Sequence, residues 1–123
     1  MAVDFDFDGG LFVIRLSGSL EPDDLRRIAD EVVLVESRHA IAPPRLTDLR
    51  DLTSTNVGYV EMSELAGRSV ARPLSTPVRS ALLVGQPVQF GFARMFQTLN
   101  THPLVTVRIF DDEVAARDWL AGR

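Results

Sequence analysis

Residues 45–65 read RLTDLRDLTSTNVGYVEMSEL. Arg45 to Leu49 starts as a short apolar-and-acidic run that predicts a strand. A polar loop of Asp, Thr, Ser, Asn and Gly follows. The chain then enters a helical pattern in which Met62, Leu65, Ala66 and Ser69 share one side. The stretch is therefore a strand ending in a loop that feeds a helix N-terminus. Open α/β sheets place ligands or modified side chains at such junctions.

The flanks extend the same grammar. Upstream, Val3, Phe5 and Phe7 alternate with Asp4, Asp6 and Asp8, a period of two that predicts a strand with one wet face. Gly9-Gly10 supplies the hairpin turn, and Leu11 to Ser17 reads as a more buried strand. The aspartates suit a solvated edge that resists further pairing better than a metal cluster. Glu21-Pro22-Asp23-Asp24 starts a helix, with Leu25, Ile28, Val32 and Val35 as its apolar stripe. Downstream, Val78 to Val84 is a nearly continuous apolar strand, the pattern of a strand covered on both faces. Gly85-Gln86-Pro87 opens a third helix striped by Phe92, Met95, Phe96 and Leu99. Leu104 to Phe110 is a β-branched strand, and Asp111 caps a last helix with Ala115, Ala116, Trp119 and Leu120 turned inward. The predicted order is β-β-α-β-α-β-α-β-α: an α/β fold in one domain over residues 1–123. Its sheet is mixed, mostly parallel, with 4–5 strands flanked by four helices.

Composition narrows the function classes. The 123 residues hold 13 basic and 17 acidic side chains, a net charge of −4, with no basic cluster to attract nucleic acid. Every basic residue is arginine. With no cysteine, disulfides, thiolate chemistry and Cys-based zinc sites are excluded. No apolar run reaches the roughly 20 residues needed to span a bilayer, and the acidic start lacks the charge of a secretory signal. The expected location is cytoplasmic.

Three stretches carry a family resemblance. Leu46-Thr47-Asp48-Leu49-Arg50-Asp51 is a strand ending in Asp-Leu-Arg. Gly91-Phe92-Ala93-Arg94-Met95-Phe96 lies in the third helix. Val107-Arg108-Ile109-Phe110-Asp111-Asp112 is followed by Ala115-Ala116 and Trp119-Leu120. Together they make the chain resemble the SpoIIAA-like proteins, relatives of the STAS domains of anti-sigma-factor antagonists. The resemblance implies a STAS-like fold and two kinds of non-catalytic activity. One is regulatory protein–protein interaction, in some members switched by phosphorylation. The other is the holding of an apolar molecule between helices and sheet, as in CRAL-TRIO-like lipid carriers. The antagonists carry an Asp-Ser pair shortly before a Gly at the start of the second helix. Aligned on Gly58, this chain has Asn56 or Val57 at the acceptor position. Thr53, Ser54 and Thr55 lie nearby, and helix capping is the preferred reading for them.

The residues themselves point to binding. Only His39 and His102 exist as histidines, each near a helix end where the dipole accounts for it. Nucleophile-elbow, phosphate-loop, dinucleotide and zinc-protease motifs are absent. Asp48 and Asp51 could form a carboxylate pair or a cation site, though pairing of Asp51 with Arg50 or with a neighbouring loop is preferred. No metal or cofactor is implied. The third helix offers the ligand candidates Phe90, Phe92, Met95 and Phe96, with Arg94 for an anionic head group and Tyr59 to close the site. Gly91 inside that helix suggests close approach of a backbone or ligand. The expected function is a module holding an apolar or amphipathic, lipid-like small molecule. The alternative is a STAS-type regulatory module that contacts a protein through Asp48, Arg50, Thr53, Ser54 and Asn56. The hairpin edge and the 72–77 connection offer a homodimer surface, which the edge charge opposes.

Overall fold

A computed structural model describes residues 3–71 and 73–123, with the side chains of 69–71 left out of the description. Asp-Phe alternation builds β1 (Val3–Asp8), and Gly9 and Gly10, with φ of 58° and 86°, turn it back into β2 (Leu11–Leu20). α1 (Pro22–Ser37) follows, then β3 (Arg45–Thr55), α2 (Tyr59–Ala71), β4 (Val78–Leu83), α3 (Pro87–Leu99), β5 (Val105–Phe110) and α4 (Glu113–Leu120). The order matches the sequence expectation, including five strands in one mixed sheet.

The strands lie in chain order, β1-β2-β3-β4-β5. β1 pairs antiparallel with β2, and every other pairing is parallel. Alternation along the strands sorts two cores. Phe12, Ile14, Leu16, Leu49 and Leu82 face one side with Leu25 and Val35 of α1, Met62 of α2 and Phe92 of α3. Leu11, Val13, Leu46, Ala81 and Leu83 face the other side, under Ala116 and Leu120 of α4. Three helices therefore cover one face and one covers the other. The predicted stripes of α1 and α3 face the core, buried or half-buried. In α4, Ala116, Trp119 and Leu120 turn inward as expected, but Ala115 is exposed. The cap of α4 is Asp112, which accepts from Val114 N–H, and not Asp111. In α2, Met62, Leu65 and Ala66 turn inward as expected, whereas Ser69 lies outside the described side chains.

β2 and β3 differ from the expectation. The sequence predicts that β2 ends at Ser17 and that the polar stretch from Asp51 to Gly58 is a loop. Instead β2 reaches Leu20 and β3 reaches Thr55, paired through Ser17↔Asp51, Gly18↔Leu52, Ser19↔Ser54 and Leu20↔Thr55. The β-branched Thr53 and Thr55 favour extension. β4 stops pairing at Asp48↔Leu83, so the last residues of β3 continue as a two-stranded ribbon with β2. Two register shifts, one of them at Gly18 (φ 72°), bend that ribbon.

Candidate functional site

The parallel strands finish at one end of the sheet, from which the chain enters α2 and α3. Most of the sequence-predicted residues gather there, in two layers. The inner layer is polar and tied. Gln89, in the first turn of α3, is 1% exposed. Its Nε2 donates to the carbonyls of Arg50 and Leu52, each at 2.9 Å. Its Oε1 accepts from the N–H groups of Gly85 at 2.7 Å and Gln86 at 2.9 Å. One amide thus fixes the start of α3 and clamps the β3 ribbon where β4 no longer supports it.

Charged groups brace the same ribbon from the α4 face. Asp48 takes Arg50 in a fork, with Nε at 3.0 Å and Nη2 at 2.8 Å. Arg50 also donates to Glu113 at 2.8 Å, Glu113 accepts from Arg117 at 2.9 Å, and Arg117 reaches Asp8 at 2.9 Å. Burial pushes the Asp48 carboxyl up, but hydrogen bonds and charge from Arg50 outweigh it and hold the group below its ordinary value. The hydrogen bond from Arg117 likewise lowers Glu113, against some burial. Arg50 and Arg117 are raised, each first by its hydrogen bond to a carboxylate. Arg50 therefore pairs with Asp48, where the sequence reading preferred Asp51. Asp48 is committed to that fork and does not form a carboxylate pair with Asp51.

The expected switch loop is mostly strand. Asp48, Arg50, Thr53 and Ser54 all lie in β3, with Thr53 and Ser54 exposed; only Asn56 belongs to the connection. Asn56 donates through Nδ2 to Glu21 at 2.7 Å, and its backbone N–H bonds the Leu20 carbonyl at 2.8 Å. Thr55 Oγ1 accepts from Val57 N–H at 3.1 Å and closes the turn before α2, whereas Thr53 and Ser54 lie in β3 and do not cap the helix. Val57 is buried, and Glu61 Oε2 receives the Gly58 N–H at 3.2 Å. The N-terminus of α2 is thus served by its own glutamate.

The outer layer is apolar and open. Tyr59 is 65% exposed, Val60 64%, Val88 43% and Phe90 47%, all in the first turns of α2 and α3. Arg94 lies over the Phe90 ring at 5.9 Å. Phe90 also borders a hollow of about 280 Å³ formed with Val84, Arg108, Ile109, Phe110 and Asp111. Gly91 is exposed, and a Cβ there would meet nothing within 4 Å, so it marks no close approach.

A second feature lies between the sheet and the helices. A cavity of about 130 Å³ opens beneath α1, α2 and α3. Its floor is one face of three adjacent strands: Ile14, Thr47 and Leu82 in one row, Arg45 and Ser80 in the next. Phe92 and Phe96 close the α3 side, while Ala29, Val33, Leu65 and Arg68 reach it from α1 and α2. Of the six residues proposed from sequence to form one ligand site, Phe92 and Phe96 line this cavity. Met95 packs into the adjoining core, and Tyr59, Phe90 and Arg94 are exposed and do not line it. Sequence reading missed Arg45. Its guanidinium donates to Glu36 at 3.2 Å, and both side chains are buried, 7% and 10% exposed. The signal was an arginine and a threonine two apart on the covered face of a central strand.

No family model matches the sequence, and no curated protein matches it. Solved structures do. A protein of the DUF3478 family from Shewanella loihica, described as having a SpoIIAA-like fold, superposes with a TM-score of 0.62 at 16% identity, covering 97% of this chain and 92% of its own. The anti-sigma factor antagonist SpoIIAA in its unphosphorylated form gives 0.61 at 19% identity, over 99% and 100%. The fold is SpoIIAA-like. The phosphorylated form of SpoIIAA, a Bacillus cell fate determinant, gives 0.54 at 19% identity, over 97% and 99%. The SpoIIAA-like fold agrees with the Asp-Leu-Arg strand and the Gly-Phe-Ala-Arg-Met-Phe helix that suggested it. Among the described residues, no helix is long and apolar enough to cross a membrane.

Proposed function

We propose that the protein is a non-catalytic, STAS-type regulatory module that docks a protein partner on the end of the sheet where α2 and α3 begin. The observation that carries this reading is the exposure of Tyr59, Val60, Val88 and Phe90 in the first turns of α2 and α3. Phe90, beside a hollow and with Arg94 stacked on it, has the make-up of an interface hot spot, and Tyr59 adds a second exposed aromatic. The clamp of Gln89 and the Asp48–Arg50 fork hold the surface rigid, which lowers the ordering cost of association. SpoIIAA, described as an anti-sigma factor antagonist, supports the same class of role. A phospho-switch at the SpoIIAA-like acceptor position is not part of the proposal, because Asn56 is tied to Glu21 and Val57 is buried. The test is affinity capture from native extract with the wild-type protein and with Y59S/F90S. A protein held by the wild type and lost by the variant supports docking at this end; an identical set from both baits contradicts it.

A second reading rests on the cavity. Its lining is dominantly apolar, and about 130 Å³ approaches the roughly 150 Å³ that accepts a benzene in an engineered core. We propose that the module also holds a small apolar or amphipathic molecule there.

A further inference from the structure

Two arginines touch the cavity, and they differ in what they can offer. Arg45 sits on the floor, buried and paired with buried Glu36. A ligand carboxylate brought to Arg45 would put a second negative charge beside Glu36 out of water, a costly arrangement. Arg68 stands at the mouth, where α2 faces α1. Its side chain is 56% exposed, and the guanidinium donates to Asp30 at 3.2 Å across the gap between the two helices. An exposed ion pair of this kind is held weakly and exchanges readily. Among the described residues no carboxylate lines the cavity; the carboxylates that balance its two arginines, Glu36 and Asp30, lie outside the lining, and of the two pairs only Arg68–Asp30 is solvent-exposed.

We infer that the cavity takes an apolar monoanion with up to about six carbons inside the cavity, tail inward and carboxylate on Arg68, displacing Asp30. The inference rests on the cavity reading above and adds the charge and the direction of the ligand. The tail lies along Ile28, Val32, Leu65 and Phe96 toward Leu82. The head stays at the solvent edge, so it keeps part of its hydration and needs no buried counter-charge. Asp30 is then a competitor: it occupies the guanidinium when the ligand is absent. A ligand cation finds no carboxylate in the lining, and the nearest two, Glu36 and Asp30, are already engaged by arginines, so it is disfavoured.

The experiment uses octanoate and n-octanol as probes, with binding followed by calorimetry and by shifts of the Ile28 and Leu82 methyl resonances. Wild-type protein should bind octanoate roughly tenfold more tightly than octanol. R68Q should lose most of that preference, by about five- to tenfold, with octanol binding unchanged. D30N should tighten octanoate binding by about two- to fivefold, an effect that a purely structural role for the pair does not give. A29F, which fills the mouth, should block both probes, and V33W serves if A29F unfolds. If both probes bind and A29F blocks them, but R68Q and D30N leave their ratio unchanged, the anion inference is overturned and the cavity reading stands. If neither probe binds, both are overturned.

Discussion

Replacing Gln89 tests the clamp that positions the docking end. In Q89A the Leu52 carbonyl, which is buried, loses a donor at 2.9 Å, at a cost of about 1–3 kcal/mol. The Arg50 carbonyl and the N–H groups of Gly85 and Gln86 are part-buried, so water replaces much of what they lose. Together these three add roughly 1–2 kcal/mol, and lost packing adds about 1 kcal/mol. Regained side-chain freedom returns about 1–2 kcal/mol. The expected net loss is therefore about 2–4 kcal/mol, a fall of roughly 8–15 °C in Tm for a domain of this size. Urea unfolding followed by far-ultraviolet circular dichroism measures it. Q89M, which keeps the volume without the hydrogen bonds, should recover no more than about 1 kcal/mol. Q89E keeps an acceptor for the two N–H groups but faces two carbonyls with a carboxylate. It should be at least as unstable as Q89A at neutral pH. It should regain stability as pH falls and the folded state takes up a proton, since its carboxyl is raised in the fold. A loss below about 1 kcal/mol for Q89A would refute the clamp.

Three further outcomes follow from the geometry. Removing one partner of the buried Arg45–Glu36 pair, by R45A or E36Q, should cost about 3–5 kcal/mol in chemical denaturation, whereas E36M/R45M should recover most of it. G91A should raise stability by roughly 0.5–1 kcal/mol, because the position is open and its φ is not left-handed. Asp48 is held below its ordinary value, so its contribution is present at and above the carboxylate range and is lost as pH falls through its lowered folded value. D48N should therefore be less stable than wild type at neutral pH, with the gap closing on acidification in pH-dependent unfolding.

Much of this fold is legible in the sequence because its signals are local. Val3 to Asp8 alternates cleanly, Pro22 and Pro87 mark helix starts, and Val78 to Val84 has the unbroken apolarity of a central strand. The end of β3 was misread because Asp51, Thr53, Ser54 and Thr55 are polar. Their strand is held by pairing with β2 and by Gln89, both remote in sequence. Gln89 itself carried a faint cue in the Gln86-x-x-Gln89 spacing of a capping box, and nothing in that spacing tells which carbonyls it reaches. For the same reason the α3 residues resembled one ligand site. A stripe at helical spacing separates inner from outer faces, but which of Phe90, Phe92 and Phe96 meets a cavity depends on how α1 and α2 pack beside it.

Hydrogen-exchange mass spectrometry of the protein, alone and with the partner it captures, probes the docking end most directly. Slowed exchange centred on residues 56–62 and 86–91, with little change over α4, is the expected result. Protection confined to α4 and β5, leaving the first turns of α2 and α3 unchanged, would contradict the assignment of that end as the docking surface.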